Sequence, residues 1–197
     1  MAKTYEDHIS NCKAHFHKAF KNFTAHITNL GPVQILDWKN KNDSITYYIR
    51  FLFDKTAQRM TVSGDLGTAV FHFTEEATFE AISSYLTLEY FLEKIDITTN
   101  RHQYDSEYAY IEAKQNLNID NMTDETERTK LTDLAKQIAE EMDMNGLEET
   151  TKELLEKYDP DYWEWAYEIG KLPHKRCIGW FEALHMARKQ LLKGESL

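Results

Sequence analysis

The chain has 197 residues, 42% of them hydrophobic and 13% aromatic, with a formal net charge of −10; it can bury a substantial core and is not a disordered acidic tail. No run approaches the roughly 18 apolar residues that span a bilayer, and the opening MAKTYEDH lacks the basic and apolar segments of a signal peptide. The two cysteines, Cys12 and Cys177, are no disulfide framework, so thiols in a reducing cytoplasm are expected.

The first predicted element is a helix from about Tyr5 to Asn29. Ile9, Cys12, Phe16, Phe20, Phe23 and Ile27 recur at spacings of three and four, and Gly31-Pro32 reads as its stop. The pattern then changes to strands. Val33–Trp38 is a short apolar run and residues 39–43 (KNKND) a turn. Ile45, Tyr47, Ile49, Phe51 and Phe53 then alternate with Thr46, Tyr48, Arg50 and Leu52, the period of a strand. Arg59–Ser63 and Thr68–Phe73 flank the reversal Gly64-Asp65-Leu66-Gly67. Four strands with short links imply an antiparallel meander.

Glu75–Ile95 returns to helix, with Thr74 as N-cap and Phe79, Ile82, Leu86 and Tyr90 facing the sheet. Asp96–Gln103 reads as a connector and Tyr104–Asn116 as a helix. From Thr123 the chain is helical again: Leu131, Leu134, Ile138 and Met142 form a stripe that Gly146 ends. Leu147–Tyr158 follows. Asp159-Pro160 then reads as the start of a further helix carrying Tyr162, Trp163, Trp165 and Tyr167 to Gly170. A last helix runs from Lys175 to Lys193. The fold class is α+β, with an N-terminal helix, a four-stranded antiparallel meander, a covering helix and a C-terminal acidic helical extension. The expected domains are 1–100 and 101–197.

Charge is unevenly placed along this order. Residues 1–102 carry 12 acids and 11 bases, residues 103–170 carry 19 and 6, and residues 171–197 carry 2 and 6. Direct nucleic-acid binding through the acidic belt is not expected, because phosphate contacts need Lys and Arg. Such a belt can attract a basic protein or occupy a groove built for nucleic acid. Its candidate contact residues are Glu140, Glu141, Glu148 and Glu149, with Trp163 and Trp165 as aromatic anchors. The other reading is a solvated face with its aromatic rings in the core.

On a helix, His8, Cys12 and His15 fall at i, i+4 and i+7 and line one edge of the apolar stripe. His26 lies near that edge and His17 points elsewhere. Zinc accepts His and Cys ligands, and a tetrahedral site needs a closing ligand from afar, of which His174 and Cys177 could supply one or two. In the simpler reading Cys12 is a core residue and the histidines lie at the core boundary. Lys175 and Arg176 beside Cys177 would favour its thiolate. Asp37, Asp54, Asp65 and Glu75 stand at strand or turn ends, the raw material of a metal-dependent nuclease centre and equally of ordinary turns. SGDLG lacks the GK[ST] of a phosphate loop.

YYIRFLFD (residues 47–54), VSGDLGTAVFHFT (residues 62–74), the aromatic-rich helix after them and the opening KTYEDHISNCKAHFHKAFKNF resemble a family of small proteins of Firmicutes prophages. The resemblance covers about residues 3–95 and carries no functional residue by position. Some small phage proteins of that setting are anti-CRISPR inhibitors of type II-A Cas9. What it implies is a phage-encoded protein of the bacterial host cytoplasm that binds Cas9 or the Cas9–guide RNA complex and blocks DNA loading or cleavage. Two alternatives stay open: a metal-dependent nuclease acting on guide or foreign nucleic acid, and a structural zinc-binding interaction protein. The zinc reading brings zinc to the His and Cys residues named and the nuclease reading a metal ion to the four carboxylates; the inhibitor reading brings no cofactor, and no membrane partner is expected.

Overall fold

In the computed structural model, which describes residues 4–42, 47–144 and 146–194 (without the side chains of 193 and 194), helix α1 (Tyr5–Ala19) is shorter than its apolar stripe suggests. The chain turns at residues 20–22, where the Phe23 N–H donates to the Phe20 carbonyl. It then runs as strand β1 (Phe23–Leu30), paired antiparallel with β2 (Val33–Asn40). Thr24, Ile27 and Thr28 are β-branched, which favours the strand. Gly31-Pro32, expected to stop a helix, instead joins Leu30 to Val33 across a hairpin. His26 therefore lies on a strand, not on the helix.

Strands β3 (Tyr48–Asp54), β4 (Arg59–Gly64) and β5 (Ala69–His72) continue the meander in register. Asp43, Ile45 and Thr46 of the expected turn and strand lie outside the described residues. The long covering helix is broken into α2 (Phe79–Tyr85) and α3 (Leu88–Glu93). Their N-caps are Thr78 and Thr87, whose hydroxyls accept from Ala81 N and Tyr90 N, not Thr74. After α3, strand β6 (Ile95–Thr98) pairs with β5 across a register shift at Val70/Phe71. Among the described residues the sheet therefore has six antiparallel strands in chain order, not four. Both extra strands are edge strands: β6 has only four residues, and β1 continues the helical spacing of Phe16 and Phe20 through Phe23 and Ile27.

Two compact units result. One comprises Ile9–Arg101 and Pro173–Leu197, the other Met1–His8 and His102–Leu172. In the sheet unit, Leu36, Trp38, Ile49, Phe51, Phe53, Met60, Val62 and Phe71 turn one face inward. The last helix, α7 (Lys175–Gly194), belongs to this unit: Cys177, Ile178, Trp180, Phe181, Leu184 and Ala187 join the same core. The Trp180 and Phe71 rings meet edge-on at 6.3 Å, and Phe91 lies 4.5 Å from Phe71 and 5.7 Å from Phe181. On the outer face Asp37 and Arg50 form a two-pronged pair at 2.7 and 3.0 Å. This pair holds the Asp37 carboxyl below the usual carboxylate range.

The helical unit contains α4 (Ser106–Asn116), α5 (Glu125–Met144) and α6 (Glu149–Tyr158). Asp105 caps α4 through Tyr108 N, and Gly146 ends α5 in the left-handed conformation with its N–H on the Glu141 carbonyl. The expected connector before α4 holds β7 (His102–Tyr104), which pairs with β8 (Lys171–Pro173). Among the described residues no helix is long and apolar enough to cross a membrane.

Gly64 closes the β3–β4 ladder at φ +130, and a Cβ there would lie 2.2 Å from the Tyr48 carbonyl oxygen. Gly64→Ala is expected to cost about 3 kcal/mol. Gly31→Ala meets nothing within 4 Å and should cost only about 1 kcal/mol, the left-handed penalty alone. Urea unfolding midpoints of the two variants check the difference.

Candidate interaction surface

The core of the helical unit is apolar: Ala109, Ala113, Leu131, Leu134, Ile138 and Leu155 are buried. Around it several acids are architectural. Glu141, expected at a contact surface, is buried, and its Oε1 accepts from Gln137 Nε2 at 2.7 Å and Thr151 Oγ1 at 2.6 Å. Its Oε2 accepts from Glu148 N at 2.9 Å. The carboxylate thus caps the start of α6 from α5, satisfying a donor that helix geometry leaves open. Burial opposes its charge, but the three hydrogen bonds outweigh that and lower the pKa below the 4.5 of a free Glu. Glu112 Oε2 accepts from Gly170 N at 2.7 Å, and the Tyr104 hydroxyl donates to the Ala139 carbonyl at 2.7 Å. Burial, with Asp143, Glu112 and Asp105 nearby, pushes the Tyr104 phenol up to about 12.

The expected helix at residues 161–170 does not form. Asp159 ends α6, and its carboxylate accepts from Trp165 Nε1 at 2.7 Å and Asp161 N at 3.1 Å. That arrangement turns the chain, and only Tyr162–Glu164 makes a 3-10 turn. Trp165 is consequently half-buried against the core, whereas Trp163 is 60% exposed and available as an anchor. Glu140, Glu148 and Glu149 are exposed, with Glu149 3.2 Å from Lys152. Between α5 and α6 lies a groove of about 320 Å³ lined by Lys130, Asp133, Leu134, Gln137, Leu154 and Tyr158. Leu154 and Tyr158 are exposed apolar residues in it, and the Glu127 carboxylate beside Tyr158 pushes its phenol above the ordinary value. In the sequence Leu154 and Tyr158 are only members of the expected helix Leu147–Tyr158. Their exposure depends on where α5 lies.

The His/Cys set is dispersed. His8 is buried, Cys12 half-buried, and the exposed His15 stands edge-on to Phe16 at 5.1 Å. His174 Nδ1 accepts from Arg176 N and Nε, both at 3.2 Å. Cys177 is buried with its Sγ on the Asn100 and Arg101 carbonyls. Burial pushes its thiol up to about 11 against the pull of Arg176 and Arg101, so the thiolate expected from its basic neighbours is not favoured. Among the described residues no three His, Cys, Asp or Glu side chains form a group that could hold a metal ion. Asp54 accepts from Ala57 N and Asp65 from Tyr48 N, as turn residues do, and Glu75 is exposed. Sequence reading missed Glu182: it is buried on α7, with its Oε2 2.6 Å from His17 Nε2 and its Oε1 3.8 Å from Lys13 Nζ.

No protein-family model, curated protein or solved structure matches this chain.

Glu141→Ala should destabilise the protein by about 3 kcal/mol by orphaning three donors, while Glu140→Ala should change stability by under about 0.5 kcal/mol. The Glu141 contribution is complete above pH 4.5 and is lost as the pH falls through its lower folded-state value. Denaturant titrations of wild type and Glu141→Gln across that range should therefore converge at low pH. In alkylation followed by mass spectrometry, Cys177 should react only on unfolding.

Proposed function

We propose that this protein works by binding another protein, with the acidic helical unit as its contact surface. Following the resemblance over about residues 3–95, the proposed partner is type II-A Cas9, free or loaded with guide RNA, in a bacterial cytoplasm. The observation that carries this reading is the excess of 19 acids over 6 bases in residues 103–170, with Trp163 standing 60% exposed among them. Exposed Glu140, Glu148 and Glu149 offer carboxylates to lysines and arginines that otherwise hold phosphate. Their field would speed encounter, and a desolvated indole would supply affinity. Occupying such a channel blocks DNA loading without chemistry on the nucleic acid.

The test is binding to purified guide-loaded type II-A Cas9, together with DNA cleavage in its presence. Joint replacement of Glu140, Glu148 and Glu149 by Lys should weaken binding about tenfold or more and flatten its salt dependence. Trp163→Ala should weaken it about thirtyfold if the ring is a central anchor. Unchanged binding and salt dependence in both variants would reduce the belt to a solubilising face. Cleavage products that form without Cas9 and vanish with chelator would favour the nuclease alternative.

A further inference from the structure

Among the described residues, the outer edge of the six-stranded sheet at β1 is only half covered. Ala25 N donates to Gln190 Oε1 at 2.6 Å, and Gln190 Nε2 donates to the Phe23 carbonyl at 3.2 Å. One side chain of α7 thus takes the Ala25 N–H and the Phe23 carbonyl of this edge. Backbone alternation makes Ile27 and Asn29 the next residues whose N–H and C=O point away from β2. Among the described residues no hydrogen bond takes those four groups. The strand reads FTAHITNL, without the lysine, proline or inward charge that usually guards an edge.

Beside this open half lies a groove of about 340 Å³, lined by Ile27, Phe79, Leu191 and Leu192 with Arg188 and Glu80 at its polar part. Leu192 and Leu30 are 51% and 57% exposed. The open edge is short: Gln190 bounds it at Ala25 and the Gly31-Pro32 turn bounds it after Leu30. A long foreign strand would run into Gln190. An identical strand laid antiparallel about Thr28 fits the gap, because Ile27 then faces Asn29 of the second copy, and Asn29 faces its Ile27. All four open groups on each copy are paired in that register.

We propose that two copies of this chain associate by pairing β1 with β1 about a two-fold axis at Thr28. Charge agrees with this choice. The strand has no charged side chain, so equal strands meet without like-charge repulsion. The sheet unit carries 15 bases and 12 acids, against 8 and 21 in the helical unit, so the unit that holds β1 is not itself strongly acidic. Thr28 is exposed, and at the axis it meets Thr28 of the second copy, a favourable cross-strand pair. The exposed Leu30 and Leu192 supply apolar area at the junction.

The test is sedimentation of the full chain from micromolar to millimolar concentration. Wild type should reach twice the mass of one chain, and Thr28→Lys should weaken association at least tenfold. An equimolar mixture of Thr28→Lys and Thr28→Glu should restore it, because this register alone sets the introduced lysine of one copy opposite the introduced glutamate of the other. A wild-type monomer throughout, with or without a strand of another protein bound, would overturn the proposal. So would a Thr28→Lys dimer as tight as wild type, or a mixture no tighter than either variant. Amide exchange in unmodified protein gives an independent reading. The Ile27 and Asn29 amides should slow as concentration rises, and concentration-independent exchange there would also overturn the pairing.

Discussion

The closure of the sheet by α7 is the constraint on which the rest of this structure depends. A six-stranded sheet with Leu36, Phe51, Phe53, Met60 and Phe71 on one face must cover that face or expose it to water. Helices α2 and α3 are too short to do so alone. The missing cover comes from about eighty residues further along the chain, as Ile178, Trp180, Phe181 and Leu184. The same helix sends Gln190 to the edge of β1 and buries Glu182 beside His17 and Lys13. Because α7 must return, the chain between β6 and α7 leaves and re-enters through paired strands. Asp105 N donates to the Gly170 carbonyl and His174 N to the Arg101 carbonyl at the two ends of that pairing.

Within the acidic segment, charge has two separable uses. Glu141, Glu112, Asp105 and Asp159 accept hydrogen bonds from main-chain N–H groups, and Asp159 also from the Trp165 indole. These carboxylates organise α4, α6 and the turn after it, as local capping does in any helical protein. Glu140, Glu148 and Glu149 remain exposed and supply the field that a basic partner would meet. A count of acids treats both groups alike. The proposed partner contact rests only on the second group, and the fold of the unit rests on the first.

Periodicity made much of this architecture legible. The β3–β5 meander, α4, α5 with its glycine stop and the extent of α7 follow from alternation, apolar stripes and turn residues. The failures have physical causes. Phe20, Phe23 and Ile27 keep a helical spacing across a helix–strand junction because both elements bury toward one core. Asp159-Pro160 has the letters of a helix start, yet its carboxylate is drawn to the Trp165 indole. Cys177 sits beside Arg176 in sequence, but burial outweighs that neighbour and keeps the thiol protonated.

What the sequence by itself determined is therefore local: the helix or strand state of β2–β5, α4, α5 and α7, the apolar faces of these elements, and the concentration of acids in residues 103–170. Those properties arise from neighbours three, four or two positions away, which a linear pattern records. The tertiary structure alone decided that α7 closes the sheet, that Glu141 is buried and Glu140 is not, and that Gln190 covers only half of β1. Each of these depends on contacts between residues far apart in the chain. Burial and hydrogen-bond partners are set there by which elements meet, a fact that no local spacing carries.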